Sequence, residues 1–493
     1  MKMIYGIDAK PPIGKTLLFA FQQMIAIMAA TLLVPILMST HKTLDGTTLI
    51  FDPAAALFGA GCGTIVYLLF TKRRSPVFLG SSFTFLGAYE AVIGQNYGYW
   101  GVMLGIVFAG LVYVVIAVII KFVGSGWINK LMPAVIIGPI VALIGLSLSG
   151  IATSWMMSNG EEDSYNLLSI LCGLVTFISI VLVSVKGNKT MKLIPFIIGI
   201  GAGYALALLL TLIGKAAGVE YMQILNFQPF IDTFGTFKFT SIFDYPKFTF
   251  LQAIQTNGTY LFDGAAVANI AITFIPIGIV ELAQHIADHK NLSTIVERDL
   301  ITDPGLDKTL LGDGIGSIVG GFFGGAANTT YGESIGCVAI TKNASVISIL
   351  FAALGCVILS FFTPFVTVVN SIPLCVMGGA CIALYGFIAV SGLQMLKQVD
   401  LGDSKNLFVV SAILVIGIGG LTINIGTNSI TGGPLLKITS LATALIVGLL
   451  TNLLVHLKDN NEDSLETEDL VTESLPETSN IKEESIQDKS NLE

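Results

Sequence analysis

Apolar runs of about twenty residues recur from position 16 to position 456, separated by short polar stretches. A helix of that length crosses the hydrocarbon core of a bilayer. The pattern predicts fourteen spans: 16–37, 54–70, 78–93, 98–120, 129–151, 165–184 and 190–213, then 266–289, 307–325, 328–341, 344–367, 373–396, 406–421 and 434–456. The third and tenth are poor helices. The third is short and carries Gly80-Ser81-Ser82, and the tenth carries Asn328-Thr329-Thr330 and Gly332. Both read as short extended strands leading into half-helices. Such backbone is tolerated at membrane depth only where it is buried in protein or lines a cavity.

The two halves echo each other. Gly59-Ala60-Gly61-Cys62-Gly63-Thr64-Ile65-Val66 matches Gly312-Asp313-Gly314-Ile315-Gly316-Ser317-Ile318-Val319 at five of eight positions. Gly80-Ser81-Ser82-Phe83 aligns with Asn328-Thr329-Thr330-Tyr331, and Pro133 and Gly138 with Pro373 and Gly378. An odd number of spans per repeat makes the repeats inverted, and paired interrupted segments in an inverted repeat point to a transporter's binding site. The expected organisation is an N-terminal segment at 1–15, a first seven-span repeat at 16–213, an external connection at 214–265, a second seven-span repeat at 266–457 and an acidic tail at 458–493.

Composition agrees with a membrane protein: 53% of residues are hydrophobic and 12% charged, against about 25% charged in soluble domains. The first run reads as a span rather than a cleaved leader. The net charge of −8 comes from the tail, which is rich in Glu, Asp, Ser and Asn and is expected to be disordered and solvated. Of the 25 Lys and Arg residues, 20 fall on the side that both termini share, so that side is expected to be cytoplasmic. Six scattered cysteines and four histidines make no metal or disulfide framework. No nucleophile–base pair stands out, so neither an enzyme, a cofactor nor a nucleic-acid partner is expected.

Ionisable residues inside spans cost free energy and mark function. In the eighth, Glu281, Gln284 or His285, and Asp288 recur at i, i+3/i+4 and i+7, a polar stripe that should face a cavity. His289 reads as marking the helix end. In the tenth, Tyr331-Gly332-Glu333-Ser334 follows the extended residues, and Glu333 opens a half-helix whose free N–H groups can meet a polar ligand. Gly332 lets that ligand approach the backbone. For Tyr331 and Tyr385, packing and a site role stand side by side. The Gly312–Gly316 run superficially suggests a dinucleotide loop, but close helix contact explains it better.

The segments Asp303-Pro304-Gly305-Leu306, Gly320-Gly321-Phe322-Phe323-Gly324, Asn328-Thr329-Thr330-Tyr331-Gly332-Glu333, Val77-Phe78-Leu79-Gly80-Ser81-Ser82-Phe83 and Ile372-Pro373-Leu374-Cys375-Val376-Met377-Gly378-Gly379 resemble the uracil permeases of the nucleobase–ascorbate transporter family. The resemblance covers nearly the whole chain except the external connection and the tail. It implies an all-α membrane fold of fourteen segments in a seven-plus-seven inverted repeat. Spans one to four and eight to eleven form a core domain, and the others a gate domain. It implies import of uracil by proton symport across the inner, cytoplasmic membrane, with a homodimer among the assemblies it allows. The alternative substrate is xanthine or another purine. Substrate would lie between the strands of the third and tenth spans, against the backbone near Phe83 and Gly332 and the side chain of Glu333, with Tyr331 and Tyr385 flanking it.

Four positions depart from the family pattern. Gln284 stands where the family has a substrate-binding glutamate, Asp288 where uracil permeases have a histidine, Gln22-Gln23 for a Gln-His pair, and Ser334 for an asparagine. An amide at 284 offers both an acceptor and a donor to a nucleobase but cannot titrate. The coupling proton is therefore expected on Asp288, Glu281 or Glu333.

Overall fold

A computed structural model describes residues 3–43, 46–124, 126–127, 133–158, 165–188, 191–256, 264–427 and 434–457. The acidic tail lies outside the described residues. The chain runs α1 (Ile13–Met38), α2 (Pro53–Phe70), β1 (Leu79–Ser81), α3 (Leu86–Gly94), α4 (Gly98–Val123), α5 (Ala134–Ser147), α6 (Ser149–Met157), α7 (Leu167–Lys186) and α8 (Pro195–Ala217). A connection carrying α9 (Gln228–Phe234) and α10 (Thr249–Gln255) follows. Then come α11 (Gly264–Val296), α12 (Leu306–Gly324), β2 (Asn328–Thr330), α13 (Gly332–Thr341), α14 (Val346–Leu359), α15 (Thr363–Asn370), α16 (Leu374–Met395), α17 (Ser404–Ile418), β3 (Ile423–Thr427), β4 (Pro434–Ile438) and α18 (Ser440–His456). Eight helical stretches among the described residues, α5 and α6 taken together as one of them, are long and apolar enough to cross a membrane.

Local chemistry sets many of the ends. Pro53 opens α2, and the Asp52 carboxylate accepts from the Ala54 N–H at 2.9 Å. Asn166 caps α7 by accepting from the N–H groups of Leu168 (2.8 Å) and Ser169 (3.2 Å). Gly325, in the left-handed region at φ 74°, stops α12.

Packing divides the helices into two groups. In the first, α12 lies against α2 and α4, α14 against α1 and α2, and α11 against α4. In the second, α16 lies against α5, α6 and α7, α7 against α8, and α17 against α18 and α5. The segments matched between the halves meet inside the first group. A Cβ on Gly63 would stand 2.7 Å from the Gly316 carbonyl oxygen, and one on Gly316 would stand 2.8 Å from the Gly63 carbonyl oxygen. These two glycines occupy the same place in the repeated octapeptide. The small residues therefore serve backbone contact between helices, as expected for the Gly312–Gly316 run.

β1 and β2 pair antiparallel, with Leu79 opposite Thr330, Gly80 opposite Thr329 and Ser81 opposite Asn328. Every residue of both strands is buried. The short extended segments expected in the third and tenth spans are thus present and joined to each other.

Several elements differ from the sequence pattern. α11 runs on to Val296, seven residues beyond the expected end, so Asp288 and His289 lie well inside it. The stretch expected as a last span over 434–456 begins instead as β4, paired with β3, and its helix starts at Ser440. Pro434 and the β-branched residues of 423–427 suit a hairpin better than a helix. The expected fifth span is divided at Leu148 into α5 and α6, and the eleventh ends at Leu359.

The connection is anchored to the bundle. Phe250 stacks on Phe322 with ring centroids 4.6 Å apart, and the Lys247 N–H donates to Asp52 at 2.7 Å. The N–H of Asp244 donates to the Phe361 carbonyl at 3.1 Å, and that of Thr363 to the Ile242 carbonyl at 3.0 Å. At the opposite, basic end, Asp303 of the Asp-Pro-Gly-Leu segment bridges Arg298 (2.5 Å) and Arg74 (2.7 Å). The guanidiniums of Arg298 and Arg74 hold its carboxyl down to about 2. The N-terminal segment is docked at this end too: the Ile4 N–H donates to the Lys342 carbonyl, and the Ala344 N–H to the Tyr5 carbonyl, each at 2.8 Å.

Substituting Gly63 by Val drives side-chain carbons into the Gly316 carbonyl. Overpacking of this kind costs about 1–3 kcal/mol, so a lower thermal midpoint and less monodisperse protein are expected in detergent. An unchanged melting profile counts against the contact.

Candidate functional site

The strand pair brings two broken segments to one place, and side chains around it fix their position. The Thr64 hydroxyl accepts from the Leu79 N–H at 2.9 Å, and the Ser82 N–H donates to the Ala327 carbonyl at 2.8 Å. The Tyr331 hydroxyl donates to the Ser81 carbonyl at 2.7 Å. The Asn328 amide donates to the Gly59 carbonyl at 3.1 Å, and the Ser317 hydroxyl to the Asn328 carbonyl. Apart from the Gly59 carbonyl, which lies inside α2, these bonds satisfy backbone groups that no helix serves.

Beside the strands lies a cavity of about 360 Å³. The first helix group gives it a polar wall from Ser82, Thr84, Gln284, Asp288, Thr329 and Glu333, with Phe83, Tyr331 and Gly332 beside them. The second gives an almost wholly apolar wall that includes Val141, Ile144, Phe196, Leu384, Phe387 and Met395, with Ser391 its one polar residue. Gly332 is open to the cavity, with nothing within 4 Å of where a Cβ would stand. Glu333 occupies the first turn of α13, where backbone N–H groups lack helical partners. Asp288 accepts from the Thr330 hydroxyl at 2.7 Å, joining α11 to β2.

Six of the expected residues therefore line one cavity: Phe83, Gln284, Asp288, Tyr331, Gly332 and Glu333. Two stand behind the lining. Tyr385 is buried, with its ring edge-on to that of Phe83 at 5.8 Å between centroids. Glu281 is buried and accepts from the Ser82 hydroxyl at 3.0 Å. Along the stripe, Gln284 and Asp288 face the cavity and His285 does not. His289 is fully buried, with its Nε2 2.7 Å from the Tyr67 hydroxyl, rather than at a helix end.

Some contacts near the site escaped the sequence reading. Ser334 receives the Phe78 N–H at 3.1 Å and the Gln23 amide, tying α1, the approach to β1 and α13 together. Two of the departures from the family pattern, Gln23 and Ser334, are thus partners. His285 pairs with Asp313 of α12, Nδ1 to Oδ2, at 2.6 Å. The legible signal was two ionisable residues in the interiors of apolar segments, obscured by the glycines around Asp313.

A larger recess of about 470 Å³, bounded by Asp52, Asp244, Lys247 and Asn370, lies under the connection, and none of the expected site residues lines it. A smaller one of about 180 Å³ holds His41 and Glu90 and shares Phe83, Thr84 and Ile144 with the central cavity.

The family profile described as "Permease family" matches residues 14–426. The chain belongs to that family. This permease is 36% identical over 459 residues to a uracil permease of Bacillus caldolyticus, covering 92% of this chain and 95% of that protein. It is 32% identical over 449 residues to a uracil permease of Escherichia coli (strain K12), covering 90% and 94%. The transmembrane domain of a cyanobacterial bicarbonate transporter, BicA, superposes with a TM-score of 0.55 at 16% identity, covering 91% of this permease and all of that domain. The last likeness speaks to the fold alone. The permease is an integral membrane protein of the uracil-permease type.

Ser334→Ala leaves the Phe78 N–H without its acceptor and leaves the Gln23 amide only its longer bond to the Ser334 carbonyl, 3.3 Å. Orphaning a buried donor costs about 1–3 kcal/mol. The expected result is a lower thermal midpoint in detergent, with Ser334→Thr nearer to wild type.

Proposed function

We propose that this permease imports uracil by proton symport across the cytoplasmic membrane. The observation that carries the reading is the cavity beside the β1–β2 pair, where Glu333, Gly332, Gln284 and the Phe83 backbone region converge on one small space. The relatives named as uracil permeases support the same substrate. Uracil presents alternating carbonyl acceptors and N–H donors. Glu333 accepts from a ring N–H, Gln284 gives one acceptor and one donor, and the α13 N-terminus offers backbone N–H groups to a carbonyl. Phe83 covers a face of the ring, with Tyr385 supporting it from behind and Tyr331 bracing the strand.

The chain crosses the membrane in fourteen segments, seven in each of two inverted repeats, with both termini in the cytoplasm. The antiparallel pairing of β1 with β2 and the contact of Gly63 with Gly316 support the inverted relation. The excess of Lys and Arg on one side supports the orientation. The first helix group is the core and the second the gate. The proton rides on Asp288, which lines the cavity and has the Thr330 hydroxyl as its hydrogen-bond donor. Intramembrane carboxylates in such cavities form proton relays. Glu281, behind Ser82, and Glu333 are the rivals.

Competition of labelled uracil uptake by a panel of nucleobases in proteoliposomes tests the substrate; no saturable uracil uptake, or displacement by xanthine at lower concentrations than by uracil, overturns it. Glu333→Gln replaces an acceptor by a donor facing the ring N–H. Loss of a charge-assisted bond is worth about 1.5–3 kcal/mol, so affinity should fall by at least tenfold, and unchanged affinity removes Glu333 from the site. Asp288→Asn retains an acceptor for Thr330 but cannot titrate. It should keep binding and exchange while losing accumulation driven by a pH gradient, whereas accumulation intact in Asp288→Asn and lost in Glu281→Gln moves the proton to Glu281.

A further inference from the structure

The face of α11 next to the cavity-lining row carries a second set of ionisable groups that the transport reading leaves unused. His285 and His289 stack with ring centroids 4.1 Å apart, and neither has any exposed surface. His285 meets α12 through Asp313 and Thr309 and meets α4 through the edge of Tyr113, 6.0 Å between centroids. His289 meets α2 through Tyr67, with Ser75 beyond it. Asp313 is 1% exposed, and its Oδ1 has no hydrogen-bond partner among the described residues.

The hydrogen bonds count the protons. The Thr309 hydroxyl donates to the Leu306 carbonyl at 3.2 Å, and a carbonyl can only accept. Thr309 Oγ1 therefore accepts from His285 Nε2–H at 3.1 Å. Nδ1 and Asp313 Oδ2, 2.6 Å apart, then share one further proton. Whether it sits on the nitrogen or the oxygen, the pair as a whole is neutral. A pair can be held inside a membrane protein in that form, whereas either partner alone leaves a buried polar group unmatched.

On a helix of 3.6 residues per turn, Gln284 and Asp288 lie about 100° and 60° around the axis from His285, in the same direction. A rotation of α11 swings both together. The glycines flanking Asp313 leave little slack on the α12 side: a Cβ on Gly314 would stand 2.7 Å from the Gly110 carbonyl oxygen, and one on Gly312 would stand 3.1 Å from the Tyr67 ring. We propose that the His285–Asp313 pair is a positioning device that fixes the rotation of α11 against α12 and so sets where Gln284 and Asp288 stand in the cavity. The inference rests on that cavity being the substrate site.

The test compares Asp313→Ala, Asp313→Asn and Thr309→Val in proteoliposomes. Asp313→Ala removes the tie; Asp313→Asn keeps a hydrogen bond by donating its amide N–H to His285 Nδ1. Loss of a buried tie to a charged or proton-sharing group should raise KM by about tenfold or more in Asp313→Ala, with Thr309→Val intermediate and Asp313→Asn within about threefold of wild type. A purely structural role lowers the amount of active transporter at constant KM, and that outcome overturns the proposal. If Asp313→Ala does not fold, an unchanged KM in Thr309→Val does the same. Asp313→Asn retaining exchange but losing gradient-driven accumulation also overturns it, by making the pair a carrier of the coupling proton. A second arm needs no substrate. In a cysteine-free background, Ala287→Cys, which lines the cavity, should change its reaction rate with a small thiol reagent when Asp313→Ala is added, and not with Asp313→Asn. This arm still decides if the chain proves to carry something other than uracil, and an unaltered rate in Asp313→Ala overturns the proposal.

Discussion

Extended backbone inside a bilayer must find hydrogen-bond partners within the protein, because lipid supplies none. Three residues on each of two strands meet that requirement here by pairing with each other. Much else follows from it. The strands can approach only if the helices bringing them are close, and the glycines of α2 and α12 allow that. Their own and their flanking groups need further partners, and Thr64, Ser317, Tyr331 and Ser334 take part in meeting that need. The half-helix that starts where β2 ends then presents its free N–H groups beside the cavity. A constraint on backbone satisfaction thus doubles as the means of building a polar pocket in an apolar setting.

Much of this was legible in the sequence for a physical reason. Helices in lipid need long apolar runs, and broken ones need small and polar residues at the break, so Gly80-Ser81-Ser82 and Asn328-Thr329-Thr330 stand out. Six of the eight residues singled out for the site do line one cavity because segment breaks and intramembrane charges are costly wherever they serve no purpose. The misses have equally physical causes. The length of α11 was underestimated because His289 looks like a solvated end, whereas it is buried against Tyr67. The β3–β4 hairpin was hidden because its apolar residues continue those of α18, and composition alone does not distinguish strand from helix in a short run. The pairing of His285 with Asp313 and of Gln23 with Ser334 depends on which helices are neighbours, and spacing along the chain does not carry that.

The departures from the family pattern also gain meaning from contact. Gln23 and Ser334 depart singly in the sequence but touch in the structure, where they join the first and tenth segments. Gln284 and Asp288, one turn apart on α11, face the same cavity. The first carries an amide and the second a carboxylate, so the helix still presents an acidic group to that cavity.

The two walls of the cavity have a consequence for molecular discrimination. One body supplies nearly all the polar side chains, and the other is almost entirely hydrocarbon. With substrate in this cavity, as proposed, the pattern of donors and acceptors on a ligand would be read by one set of helices, and its outline by the other. These two criteria can drift independently over evolutionary time: a change at Val141, Leu384 or Phe387 would widen or narrow the tolerated shape without disturbing the edge-recognising groups across from it.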